Sequence, residues 1–554
     1  MLLMAFLINC PFIILFNCLS SLDLFFFISI VFQGWNDVGF HGSNQIPTPN
    51  IDALAYNGLI LNSHYTPALC TPSRAALMTG KYPIHLGMQH LVILEAEPWG
   101  LPLEEKMLPQ YLKESGYATH AIGKWHLGFF RKEYTPTHRG FDSHFGYWNF
   151  RSKYKEYPLK NWKKNFAKYH GYDMRRNMSL DWSAQGKYST DLFTDEGCAS
   201  STLMSGRTPV PVHVYCADNS GGHKLPTHKR TLVKLGVQLD VVTAFSYVTT
   251  FLVTAMVSKL DQSVGEVVSA LRSRDMLDNS IIIFMSDNGA PTYGLHSNRG
   301  SNYPLRGVKT PYEGGVRGVA AVWSPLIKKR SRVANQLMHI ADWLPTLHSA
   351  AGLETSLPKD LDGVDMWKAL SEDLPSPRTE LLHNIDDIGE VYSALRSGPW
   401  KYVKGKQLFY EQIKLLIKIK TSLCILHVAK RYTASKCNRL INTIIKTKEM
   451  RLNAINSVAA NCDATKSACL FNIAADPCER TNLAAAEPDL VRILEERVAE
   501  LRKTARAPLN KPSDPLADPH NWNDTWTNWH DALDQSCNAP MFRLKKPNFW
   551  EIDH

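Results

Sequence analysis

Leu69-Cys70-Thr71-Pro72-Ser73-Arg74-Ala75-Ala76-Leu77-Met78-Thr79-Gly80 is the stretch from which the rest of the chain is read. Thr71 or Cys70 suits the cap of a helix, Pro72 its first position, and Ser73 to Met78 its body. Residue 70 then sits at the positive end of a helix dipole, where a sulfate-like anion is favoured. A cysteine simply buried at a helix start is the plain alternative.

Outward from that segment the chain alternates short apolar strands with amphipathic helices. Ile51 to Gly58 reads as a helix, Leu59 to Asn62 as a strand, Leu108 to Ser115 as a helix and Ala118 to Ile122 as a strand. Further on, Met256, Val257, Leu260, Val264, Val267, Val268 and Leu271 share one helical face ahead of a strand at Ile281 to Met285. This βα alternation predicts an α/β fold with a mainly parallel, helix-flanked sheet and ligands at the carboxyl ends of its strands. Two polar segments fall at such ends. Asp287-Asn288-Gly289 offers a carboxylate and a carboxamide, oxygen donors suited to calcium or magnesium, although an Asn-Gly turn needs no metal. Gly123-Lys124-Trp125-His126-Leu127-Gly128 places a Lys and a His after another strand.

At 554 residues, the chain is long enough for a large core and more than one domain. Its net charge of +10 is local: residues 411–451 hold ten Lys/Arg against two acids, so the basicity does not mark a nucleic-acid surface. Residues 1–33 form an apolar leader or anchor, with transient membrane association as one consequence; a misassembled start is the other reading, and Leu24 to Phe32 equally suits a buried first strand. The eleven cysteines are odd in number, and Cys462, Cys469, Cys478 and Cys537 are the leading late cluster for disulfides. Asn177-Met178-Ser179 and Asn523-Asp524-Thr525 are acceptor sequons for glycosylation at Asn177 and Asn523. Residues 34–395 form the expected catalytic domain, interrupted by an irregular segment at 197–250. Residues 396–554 form a smaller α+β domain, with the helix Pro488 to Arg502 and the basic insertion at 411–451. Trp522, Trp526 and Trp529 in the tail suit either stacking on sugars or packing on the core.

The C-x-P-x-R run resembles the signature of the sulfatase family, whose fold is alkaline-phosphatase-like. Gly34 to Gly42, Thr137 to Asp142, Glu313 to Val319, His339 to Thr346 and Leu381 to Asp386 are most similar to its arylsulfatase B branch. The resemblance implies a sulfuric ester hydrolase acting on an aryl sulfate or a sulfated glycan, such as N-acetylgalactosamine 4-sulfate units. It implies that Cys70 is oxidised to formylglycine by a formylglycine-generating enzyme, on a secretory route to the lysosome or the exterior. Arg74 would then hold the nucleophile, Lys124 and Lys309 would bind the sulfate, and His126 would handle the diol proton. Asp287 and Asn288, with residue 70, would hold calcium.

The chain also departs from the family. An Asp-Asp pair expected at the end of the first strand, both members metal ligands, is replaced by Val31 and Phe32, and neither Asp23 nor Asp37 is an obvious substitute. A histidine expected after a mid-domain strand has no recognisable counterpart among His213, His223 and His228. The competing reading is therefore a catalytically impaired sulfatase-fold protein that binds glycans. A phosphatase or phosphodiesterase would show a Ser or Thr nucleophile and more zinc ligands, which the C-x-P-x-R context argues against.

Overall fold

The computed structural model describes residues 24–31, 33–149, 169–203, 211–218, 241–292, 300–389, 391–406 and 462–536. The leader at residues 1–22, the basic insertion at 411–451, Phe32, His223, His228 and Cys537 lie outside the described residues.

In chain order the strands of the first body are β1 (Leu24–Val31), β2 (Leu59–Leu61), β3 (His64–Tyr65), β4 (Ala118–Lys124), β5 (Ser143–Tyr147), β6 (Arg175–Arg176), β7 (Ser179–Leu180) and β8 (Pro211–Asp218). They continue with β9 (Ser280–Ser286), β10 (Ala320–Trp323), β11 (Arg332–Ala334) and β12 (Met338–His339). Ten of them form one sheet in the order β11-β2-β10-β9-β1-β8-β4-β5-β6-β7, while β3 and β12 pair separately. The centre, β9-β1-β8-β4-β5, is parallel throughout. β10 runs antiparallel to both of its neighbours, as do β6 and β7 at the other edge.

Two expectations are decided here. Leu24 to Val31 is a strand in the middle of the sheet, with Ile30 opposite Ser286 of β9 and Val31 opposite Asp218 of β8, so the sheet includes chain upstream of Gly34. A central parallel strand is commonly an uninterrupted apolar run, which is why this stretch also reads as a leader. The second concerns 197–250, which is not irregular throughout: β8 runs inside it, between β1 and β4.

Side chains of β9 alternate between two cores. Ile282 and Phe284 face one with Leu260, Val264, Val267 and Leu271 from the helix Val241–Arg272 and with Ile51 and Leu54 of α1 (Pro49–Asn57). Ile281, Ile283 and Met285 face the other with Ala75, Leu77, Leu344 and Leu347. Asp261 of the long helix accepts from the backbone N–H of Asn50 and of Ile51, both at 2.9 Å, supplying the cap that α1 lacks locally.

The second body is a four-stranded antiparallel sheet, β13 (Glu380–Asp386), β14 (Tyr392–Ser397), β15 (Trp400–Gly405) and β16 (Cys469–Asn472), with the helix Pro488–Lys503 against it through Leu494 and Val498. Its first strand, β13, lies at the edge and pairs with β14. Cys462 and Cys469 form a disulfide and Cys478 carries a free thiol. Trp526 and Trp529 are buried in the main core, where Phe129 meets both edge to face, so the tail packs on the protein rather than presenting these rings to a sugar.

Candidate active site

The site gathers at the carboxyl ends of β1, β4 and β9, where helix α2 (Cys70–Thr79) begins. Cys70 is itself the first helical residue. Leu69 before it is extended, and no side chain caps the end. The cap expected from Thr71 or Cys70 is therefore absent, because the helix starts earlier and places Thr71 inside the first turn. Thr71 instead accepts from the Ile93 N–H at 3.3 Å and donates its hydroxyl to the His126 carbonyl at 3.2 Å, tying the helix start to the segment after β4.

One turn into α2, Arg74 donates to the Lys124 carbonyl at 2.7 Å and to the Asp287 carboxylate at 3.1 Å. A single guanidinium thus joins α2 to the ends of β4 and β9, a two-way contact that lysine cannot make. Lys309 approaches from the other side, its Nζ 3.7 Å from the Cys70 sulfur. Burial pulls the Lys309 ammonium below its ordinary value, opposed by Cys70 and Asp287.

His126 is fully enclosed and takes a left-handed backbone, φ 63°, as does Lys309, φ 47°. Such conformations in non-glycine residues cost on the order of 1–3 kcal/mol and persist where surrounding contacts impose them. The His126 Nε2 lies 2.9 Å from the Ile93 carbonyl. Since a carbonyl only accepts, Nε2 carries the proton and Nδ1 is the basic nitrogen. Burial, reinforced by Lys124, holds the ring well below the usual histidine range, so it is neutral at physiological pH.

The structure thus brings together Cys70, Arg74, Lys124, His126, Asp287, Asn288 and Lys309. Arg74 pairs with Asp287 and Lys309 is attracted to it, while Lys124 lies near enough to Lys309 to repel it, so cations outnumber the carboxylate at a helix N-terminus, which favours a compact anion. Nothing in the linear pattern points to the Ile93 carbonyl that sets the His126 tautomer, and in sequence Thr71 reads only as a cap.

The metal half is incomplete. Asn288 donates its Nδ2 to the Gly289 carbonyl, and its buried Oδ1 has no partner among the described residues, as a ligand oxygen would. Asp287 faces the same region but is engaged by Arg74. Apolar Val31 ends β1 where the pair is expected. Asp37 is committed elsewhere, accepting from Gly34 N–H and Ser301 N–H at 2.8 Å each. No group of three or more His, Cys, Asp or Glu able to hold a metal exists among the described residues. A calcium ion takes six to eight oxygens, so the described residues do not by themselves fit it.

Asn177 and Asn523 are exposed, each in a left-handed turn on the surface. No helix among the described residues is long and apolar enough to cross a membrane.

The sequence model of the family described as Sulfatase matches residues 27–200 and 242–353. Mouse arylsulfatase J is 36% identical over 510 residues, covering 90% of this chain and 79% of that protein. Human arylsulfatase A is 31% identical over 66% of this chain and 72% of its own length, and dog N-acetylgalactosamine-6-sulfatase is 31% identical over 61% and 64%. Among solved structures, Ps i-CgsB in complex with k-i-k-neocarrahexaose aligns with a TM-score of 0.66 over 91% of this chain and 97% of that one, at 23% identity, a likeness of fold.

Proposed function

We propose, for a chain that belongs to the sulfatase family and is accordingly a sulfuric ester hydrolase, that its substrate is a sulfated glycan and that residue 70 is the nucleophile. N-acetylgalactosamine 4-sulfate is the leading unit, on the arylsulfatase B-like segments and on relatives named for N-acetylgalactosamine and aryl sulfates. The observation that carries the reading is the placement of Cys70 at the start of α2 within 3.7 Å of Lys309, with Arg74 fixed between Lys124 and Asp287.

Position 70 suits formylglycine: the side chain is small, at a helix N-terminus and faced by an ammonium. That group supplies a hydrated aldehyde whose oxygen bonds to sulfur as the ester alcohol leaves, and which reforms the aldehyde as sulfate departs. Lys309 and Lys124 bind the sulfuryl oxygens and offset the charge that develops on them. Arg74 fixes the depth of residue 70 against β4 and β9. Neutral His126 takes the proton on Nδ1, its Nε2–H being held by Ile93. Calcium, which the family implies, would find Asp287, Asn288 and residue 70 among the described residues, and no step is routed through it.

Beside α2, Leu69, Pro72, Gln89, His383 and Asn384 line a small cavity. Neither ring nitrogen of buried His383 has a partner among the described residues, nor does the side-chain oxygen of Gln89 or Asn384. Unpaired donors and acceptors of this kind suit sugar hydroxyls or the waters that precede them. A lysosomal or secreted location is supported by the exposed sequons and the Cys462–Cys469 disulfide, and the modification of Cys70 requires the formylglycine-generating enzyme as a partner.

Val31 at the end of β1 favours a second reading, a glycan-binding protein of weak turnover. Expression in cells that make formylglycine, mass spectrometry of the peptide holding residue 70, and hydrolysis of an aryl sulfate and a 4-sulfated N-acetylgalactosamine oligosaccharide separate the two. Modification with turnover abolished by Cys70→Ala supports the hydrolase. Oligosaccharide binding without sulfate release favours the second reading.

A further inference from the structure

The segment that carries Lys309 is held from below by a set of charges that no part of the reaction uses. Lys401 on β15 is completely buried, with its Nζ 2.8 Å from Glu313 Oε1 and 3.0 Å from Glu479 Oε1, and both carboxylates are equally buried. Glu479 also accepts from the Glu313 backbone N–H at 2.8 Å, and Tyr65 donates its hydroxyl to the other Glu313 oxygen at 2.7 Å. Lys401 and Glu479 belong to the second body, Glu313 to the first. Three such buried groups spanning the seam are costly to desolvate; Arg317, 3.6 Å from the second Glu313 oxygen, offsets part of the Glu313 charge, so taking away Lys401 leaves the two carboxylates facing each other with only partial compensation.

What stands on this cluster is the active-site loop. Glu313 opens the turn Glu313–Val316, four residues after Lys309. In that turn Gly314 N–H donates to the Arg306 carbonyl at 2.6 Å, closing the loop around Lys309. The Gly315 carbonyl accepts from Gly289 N–H at 3.0 Å, and a Cβ on Gly289 would come within 1.9 Å of the Gly314 oxygen. The same turn therefore touches the Asp287-Asn288-Gly289 segment on its upper side. Lys309 itself is in a left-handed conformation that its own sequence does not favour.

We infer that Lys401, with Glu313 and Glu479, is a positioning device through which the second body fixes the sulfate-binding lysine. The inference rests on the reading of Lys309 as a sulfate ligand. Lys401 touches no reacting atom and acts through Glu313 on the loop from Arg306 to Val316. The second body is thus a working part of the anion site.

The test uses the full chain, with inorganic sulfate as the probe, titrated calorimetrically against wild type, Lys401→Met, Lys401→Arg, Lys309→Ala and the Lys401→Met/Lys309→Ala pair. Leu494→Ala, in the core of the second body, serves as a control that weakens the same body without touching the charges. Lys401→Met is expected to weaken sulfate binding by about tenfold, in the middle of the range for networked neighbours, with Lys401→Arg recovering part of it. Lys309→Ala should add little on top, and Leu494→Ala should leave affinity unchanged. Hydrogen exchange of peptide 305–317 should rise in Lys401→Met while that of β9 does not. Additive losses, unchanged affinity, or an equal loss in Leu494→Ala overturns the inference. If wild type binds no sulfate, the functional reading of Lys309 falls, and exchange in 305–317 still decides whether Lys401 holds the loop: unchanged protection refutes it.

Discussion

Replacing Arg74 by Ala removes the one side chain that ties α2 to both neighbouring strand ends. Asp287, 1% exposed, loses its 3.1 Å ion-pair partner and keeps the weaker attraction of Lys309, and the Lys124 carbonyl loses a 2.7 Å charged donor. Breaking a buried pair by deleting one partner costs about 3–5 kcal/mol, since the stranded charge cannot be rehydrated. A loss of about 4 kcal/mol is expected in urea unfolding followed by tryptophan fluorescence. Arg74→Lys keeps the charge but reaches only one of the two acceptors, for a loss of about 2 kcal/mol. The double variant Arg74→Ala/Asp287→Asn removes both charges and should be more stable than Arg74→Ala alone, the non-additivity expected of a pair in contact. Millimolar calcium should not rescue Arg74→Ala, because the remaining donors do not make a calcium site. A loss below about 1 kcal/mol, or additive losses in the double variant, refutes the pairing as the source of stability. Rescue by calcium refutes the argument that the metal donors are too few.

Three further outcomes follow from the geometry. Terbium luminescence or calorimetry should find calcium binding to the chain no tighter than about 10⁻³ M, and Val31→Asp/Phe32→Asp should tighten it by orders of magnitude; equal affinities would mean that other oxygens complete the site. His64, fully buried and accepting from the Trp343 indole N–H at 3.1 Å, is pulled down to about 3 by burial. Its contribution to stability is present above the unfolded histidine value near 6.5 and is lost as pH falls toward 3, by up to about 1.4 kcal/mol per pH unit; His64→Gln should flatten that slope, and an unchanged slope counts against a neutral His64. Enzymatic deglycosylation of the chain from a secretory host should shift its mass by two glycans, reduced to one in Asn177→Gln and in Asn523→Gln, whereas no shift would remove the sequon support for a lumenal route.

Local pattern carried much of this structure. The βα alternation marks the strands at 59, 118 and 281, and short motifs mark Cys70, Lys124, His126, Asp287 and Lys309. What stayed hidden had a physical cause in each case. An all-apolar run such as Leu24 to Val31 is compatible with a leader and with a central parallel strand, and only its partners, β8 and β9, distinguish the two. β8 is hard to read from the sequence because the Gly, Ser and Thr around it mask a strand that is defined by its pairing with β1 and β4. The left-handed backbone at Lys309 falls on a residue type with no preference for that region, so it arises from tertiary contacts, and at His126 a type that enters the region more readily still gives no sign of it in the sequence. The Lys401 cluster unites residues up to 166 positions apart, and charge spacing along the chain does not encode such meetings.

The place of β1 also constrains how the molecule is made. Its two hydrogen-bonding edges are satisfied by β8, whose pairing begins at Val212, and by β9, which begins at Ser280. On a ribosome adding about 5–20 residues per second, β9 follows β1 by on the order of tens of seconds. For most of that interval, until β8 is made, an eight-residue apolar segment has neither neighbour to join, and one edge stays open until β9 follows. Contacts this distant in sequence form late, and a strand edge left open is where chains join one another. The yield of native protein should therefore depend on how well a host shields Leu24 to Val31 during synthesis, and slower elongation before Ser286 should lower it.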